Sequence, residues 1–140
     1  MEYKRFENTL LVRLDQGEEI LTQLEAISRA EHILLAEVSG LGAINEFTAG
    51  VYNTAEKRFS PNTFRGAYEI VSLTGTISTM NGKHYSHIHM SAGDAMGRVF
   101  GGHLSRAVIS ATGELVIRIL NGQVDRAFDA QTGLNLFRFA

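Results

Sequence analysis

His87 and His89 stand two residues apart in Lys83-His84-Tyr85-Ser86-His87-Ile88-His89-Met90-Ser91, and His103 follows in Gly101-Gly102-His103-Leu104. Side chains alternate along a β-strand, so this spacing turns both imidazoles to one face. Two neutral imidazoles side by side suit a divalent transition metal. A third histidine behind a flexible Gly-Gly pair is placed to swing in as a third nitrogen ligand. Three nitrogens with one open position describe a catalytic zinc site better than a closed structural one. The chain has no cysteine, which excludes a thiolate-rich structural site. The expected metal ligands are therefore His87, His89 and His103, with zinc as the expected ion.

An open metal polarises a carbonyl or acidifies a bound water, and a nearby carboxylate then moves the proton. Glu69 and Glu114 are the candidates for that catalytic role. Alternation alone does not say which face of a strand is buried, so a solvated position is the competing placement for each. Arg98, Arg106 and Arg118 are candidates to hold an anionic substrate, against the ordinary role of surface arginines. His84, beside the Asn81-Gly82 turn and out of phase with the 87/89 pair, is expected to face solvent. His32 is expected at a helix end.

The elements that must position these groups read as mostly β. Phe6 to Leu14 reads as a strand ending at Asp15-Gln16-Gly17. Ile20, Leu21, Leu24 and Ile27 recur at helical spacing, predicting one amphipathic helix from Glu18 to about Glu31, with Glu18 and Glu19 suiting its first turn. Ile33 to Val38 reads as a buried strand. Ser39-Gly40-Leu41-Gly42-Ala43 lacks the Gly-x-Gly-x-x-Gly spacing and a following helix, so a bulged strand is expected there and not a phosphate loop. Phe47 to Tyr52 reads as strand and Asn53 to Asn62 as a polar loop. Tyr68 to Ser78 is rich in β-branched residues, with a kink at Gly75, and Asn81-Gly82 is a hairpin signal before the histidine strand. Gly93 to Gly102 reads as a loop over the site. Arg106 to Ser110, Glu114 to Leu120, Gln123 to Phe128 and Leu134 to Phe139 read as four short strands, punctuated by Gly113, Asn121-Gly122 and Thr132-Gly133. The expected architecture is α+β: one domain over residues 1–140, with a curved, largely antiparallel sheet of about eight strands packed by one main helix.

A chain of 140 residues, 44% hydrophobic and 20% charged, has the size and balance of one globular domain. No apolar run reaches the ~20 residues of a membrane span, and no basic-then-apolar N-terminal segment signals secretion. Absence of cysteine fits a reducing compartment, so a cytoplasmic location is expected. The net charge of −2 and the lack of a basic cluster argue against direct DNA binding.

Gly66-Ala67-Tyr68-Glu69-Ile70-Val71-Ser72-Leu73-Thr74-Gly75, then His87-Ile88-His89-Met90-Ser91, then Gly101-Gly102-His103-Leu104, resemble the PPC domain. This is the plant-and-prokaryote conserved domain, also called the domain of unknown function 296. The resemblance runs from Leu10 to Phe137 with the three motifs in the family's order. It implies a compact α+β subunit that assembles as a homotrimer. In plants the domain follows an AT-hook, an Arg-Gly-Arg-Pro segment that enters the DNA minor groove, and such proteins regulate transcription. Stand-alone prokaryotic members are often labelled DNA-binding. This chain contains no Arg-Gly-Arg-Pro, and the plant motif Gly-Arg-Phe-Glu-Ile-Leu reads Gly66-Ala67-Tyr68-Glu69-Ile70-Val71, without its arginine. The fold is also similar to that of acetolactate decarboxylase, which holds a catalytic zinc with three histidines. That similarity implies a metal-dependent small-molecule function without identifying one.

Two readings follow. One is a zinc-binding homotrimer acting on or sensing a small-molecule ligand. The other is a DNA-associated or transcription-associated interaction module without catalytic activity.

Overall fold

The computed structural model describes residues 1–139. Its strands are β1 (Glu2–Phe6), β2 (Thr9–Asp15), β3 (Ala36–Asn53), β4 (Arg58–Met80), β5 (Lys83–Gly93), β6 (Val99–Ile119), β7 (Asp125–Asp129) and β8 (Leu134–Arg138), and its helix is α1 (Ile20–Ala30). Six strands form one antiparallel sheet in the order β1-β2-β6-β3-β4-β5, and β7 and β8 pair as a separate hairpin. The α+β reading holds, and the eight strands divide into six and two. The main sheet also closes on itself: β6 pairs with β3 along most of its length and with β5 at its start.

Several segments that read as separate short strands are parts of long ones. Ala36 to Val38, the second half of the expected strand Ile33 to Val38, and Phe47 to Tyr52 belong to β3, whose glycine-rich centre carries register shifts between Gly40 and Ala43 and between Ile44 and Glu46. The bulge reading of that stretch stands. The polar loop shrinks to a turn, because β4 starts at Arg58 and Pro61 lies in it, opposite Gly50. Proline is tolerated there because no other strand pairs with that part of β4. Gly113 reads as a turn but lies inside β6, opposite Gly42 and Leu14. Asn81 and Gly82 make the hairpin turn as expected, with φ of 53° and 73°.

The core lies between one face of the curved sheet and α1. Ile20, Leu24 and Ile27 of the helix are fully buried against Leu10, Leu14, Ile77, Ile88, Ile109 and Ile117 from four strands. Each such side chain contributes roughly 1.5–3 kcal/mol by leaving water. Glu19 caps the helix: its carboxylate accepts from the Leu21 and Thr22 amides at 3.1 and 2.8 Å. It also accepts from the Ala107 amide at 3.1 Å, which ties the helix start to β6. His32 follows the helix end, as expected, in the left-handed region at φ 53°, and is exposed.

Candidate metal centre

Ile88, Met90 and Ala92 of β5 are buried in the core, so the residues between them stand on the opposite face of the sheet. His87 and His89 therefore share that outer face. The third imidazole arrives through the closure of the sheet. His103 pairs with Gly50 of β3 on one side and directly with His89 of β5 on the other. Leu104 beside it is buried in the core, which leaves His103 on the outer face with the other two. The three ring centroids are 5.2, 5.2 and 5.6 Å apart, and one ring nitrogen from each lies within 4.8 Å of the others.

Gly101 and Gly102 do not act as a flexible arm. Both lie in β6, paired with Ser91 and Met90. A Cβ on Gly102 would come within 2.4 Å of the Gly50 carbonyl, and φ there is +150°. The glycines let three strands meet at the point where the sheet closes, and that meeting sets His103 beside His89. Phe59 adds an edge contact to the His103 ring, at 5.6 Å between centroids.

The site's electrostatics favour ligation. Burial is the main cause that pushes the His87 pKa down to about 4, and the neighbouring His103, Arg126 and His89 add to it. Burial also lowers His103, with His89 contributing. A neutral imidazole offers the lone pair that a metal needs. Ligand atoms on a tetrahedral ion with bonds of about 2.0–2.1 Å stand about 3.4 Å apart, so small ring rotations bring these nitrogens onto one ion. The residues present fit a divalent metal.

The structure sets other candidates apart from the triad. Glu69 is exposed and pairs with Gly93, four residues beyond His89 on β5. Glu114 is exposed and pairs with Arg13 and Leu41, eleven residues beyond His103 on β6. Arg98, Arg106 and Arg118 are exposed arms held by Asp94, Glu46 and Glu37. His84 corrects its expectation of a solvent position. It points to the inner face, half-buried, with Nε2 2.6 Å from Ser86 Oγ, and burial lowers its pKa. Sequence reasoning missed Arg126, whose charge reaches His87 from β7. No local pattern marks it, because the contact exists only once the hairpin of β7 and β8 packs beside β4.

Among the described residues no helix is long and apolar enough to cross a membrane. Solved structures share the fold. A candidate DNA-binding protein of Bacteroides thetaiotaomicron is 33% identical with a TM-score of 0.96, over 99% of this chain and 96% of that one. A metal-containing protein of Archaeoglobus fulgidus is 33% identical with a TM-score of 0.87, over 99% and 97%. A plant- and prokaryote-conserved protein of Pyrococcus horikoshii is 28% identical with a TM-score of 0.86, over 99% and 94%. No functionally curated protein matches the sequence. The profile of the Plants and Prokaryotes Conserved (PCC) domain matches residues 1–121, which span α1 and all six strands of the closed sheet with their three histidines, and the chain belongs to that family.

Proposed function

We propose that the protein binds a divalent metal, zinc by its all-nitrogen donor set, through His87, His89 and His103, and uses it to act on or sense a small molecule. The observation that carries this reading is the convergence of three imidazoles from two strands on one solvent-accessible face. The Archaeoglobus fulgidus relative is described as metal-containing, which supports it. A bound divalent ion supplies Lewis acidity toward an oxygen ligand and brings the pKa of a bound water to about 7. His87, His89 and His103 would hold such an ion through one ring nitrogen each. Glu69 and Glu114 stand outside this centre by their strand positions, so the proposal gives neither a contact with the reacting atoms.

Elemental analysis of the purified protein tests the reading. One equivalent of metal per chain is expected, falling by at least tenfold in the His87→Ala/His89→Ala double variant. Unchanged metal content in that variant would overturn it.

A second reading comes from the two relatives described as candidate DNA-binding proteins, those of Bacteroides thetaiotaomicron and Ralstonia eutropha. The surface charge opposes its transfer to this chain. Every exposed arginine among the described residues already faces a carboxylate, which leaves little free positive surface for phosphates.

A further inference from the structure

β7 and β8 pair only with each other, and no ladder joins them to the six-stranded sheet. The chain enters this hairpin from β6 through the exposed Asn121-Gly122 bend. The family profile ends at residue 121, at that same bend. The start of the hairpin is tied to β4, where the Thr79 amide donates to the Val124 carbonyl at 3.2 Å. Between Asp125 and Phe139, Arg126 is the one buried residue, and it pairs with Phe137. Its Nε donates to Ser78 Oγ and its Nη1 to the Asn135 carbonyl, each at 2.9 Å. The guanidinium carbon lies 4.6 Å from the Tyr85 ring centroid and 4.1 Å from that of Phe137. Two more bonds tie the turn of the hairpin. Tyr52 Oη donates to the Thr132 carbonyl at 3.0 Å, and Lys57 Nζ to the Ala130 carbonyl at 2.6 Å.

These ties flank the three-histidine centre. Tyr85 stands on the outer face of β5, two residues from His87. Tyr52 pairs with Phe59, whose ring meets that of His103. The hairpin thus reaches across the outer face from the His87 side to the His103 side. Little holds it there. A two-stranded hairpin is marginal by itself in water. Phe128, on the same face of the hairpin as Arg126, is 65% exposed and buries little apolar surface. The one buried side chain is a cation without an acid. The other nine of the ten arginines face carboxylates, and Asp125 beside Arg126 is taken by Thr79 and Arg138. Its Nη2 is buried with no hydrogen-bond partner. Burying such a cation costs hydration that stacking on two rings returns only in part. Opening restores that hydration, so the clasp holds the hairpin without locking it.

We propose that the hairpin of β7 and β8 is a hinged cover beside the three-histidine centre, clasped by Arg126 between Tyr85 and Phe137 and opening as a unit about Asn121-Gly122. It governs how fast a metal ion enters or leaves, a role that rests on the metal-site reading above. Segments with little buried apolar surface open locally far more often than a core does. Release of an ion through the open form then scales with how often the hairpin lifts. A gate of this kind speeds entry and release alike and leaves the affinity as it was, because it has no differential contact with the ion. Loss of a ligand to the ion would instead lower the affinity.

Hydrogen exchange of the metal-free full chain, read by mass spectrometry, tests the opening. Amides from Gln123 to Arg138 should exchange together, about tenfold or more faster than those of β3 and β6. Stopped-flow transfer of zinc to excess chelator tests the gating. Arg126→Ala should release zinc about tenfold or more faster than wild type, with its equilibrium zinc affinity unchanged. Arg29→Ala, which breaks an exposed ion pair on α1, should leave both as they are. If Arg126→Ala fails to fold, Tyr52→Phe/Lys57→Met removes the two ties at the turn and should speed release about 3- to 10-fold. Hairpin amides protected as long as those of β3 and β6 overturn the hinge. Release at the wild-type rate in the folded hairpin variants overturns the gating, and so does a lowered zinc affinity in Arg126→Ala. Wild type that binds no zinc overturns the three-histidine reading and the gating with it. Exchange of the metal-free protein then still decides whether the hairpin opens as a unit.

Discussion

Neutrality is what His87 and His103 gain from their positions. Burial holds both below the ordinary imidazole range, His87 at about 4. In the unfolded chain the same rings titrate near 6.5. Between these values the unfolded state binds more protons than the folded one, so stability rises with pH across that window. The metal-free protein should therefore melt progressively lower as pH falls from about 6.5 towards 4. His87→Gln, which never charges, should flatten that slope, and thermal melts of both proteins across this range check it. Equal slopes would show that the burial of His87 has no energetic consequence. Metal should steepen the acid loss, because protons and the ion then compete for the same lone pairs.

At the scale of elements, the site depends on how closely backbones approach under the histidines. Gly75 of β4 lies opposite Ile88 of β5 and Val38 of β3. A Cβ there would come within 2.0 Å of the His87 carbonyl and 2.8 Å of the Ile88 Cα. Backbone atoms cannot swing away as a side-chain tip can. Gly75→Ala should destabilise the fold by about 1–3 kcal/mol, the usual range for overpacking. It should also weaken metal binding, because the strand that carries His87 must shift. Gly93→Ala is the matched control: its Cβ meets nothing closer than Val71 Cγ2 at 3.5 Å. Denaturant melts and metal titrations of the two variants separate a packing defect from a general glycine effect. Comparable losses in both would dismiss the close-approach account.

For the whole molecule, one helix covers one face of the sheet and leaves apolar groups on the other. Leu11 of β2 and Val116 of β6 pair directly and are 48% and 39% exposed, and Leu41 of β3, close by, is 55% exposed. Exposed apolar groups gathered in this way mark an interface. Together with the family resemblance this leads to a proposed homotrimer, and light scattering coupled to size exclusion should give three times the 15.4 kDa subunit mass. Val116→Lys should shift the mass towards one subunit, and a wild-type monomer at micromolar concentration would refute the assembly. Charge leads to the companion prediction. With net charge −2 and its exposed arginines paired, the protein should bind duplex DNA more weakly than about 10⁻⁶ M at about 150 mM salt. Titration of labelled duplex decides it, and tighter, steeply salt-dependent binding would restore the nucleic-acid reading.

Local periodicity was enough for the helix, the Asn81-Gly82 hairpin, the bulged glycine stretch and the shared face of His87 and His89, because each depends on residues only a few positions apart. The same reasoning cut long strands into short ones at Gly113 and in Asn53 to Asn62, since glycine and proline have the same local preferences in a turn and at a crowded strand crossing. It also turned His84 outward, because the inner face of β5 at that end is defined by α1 and not by neighbours in sequence. Only the closed sheet brings His103 beside His89. Without that closure the Gly-Gly pair reads as a hinge, when its lack of side chains is what lets β3, β5 and β6 touch. Arg126 lies furthest from any local signal. The sequence contains ten arginines of equal standing, and only the packing of the hairpin of β7 and β8 buries one of them, unpaired, against the face that carries the histidines.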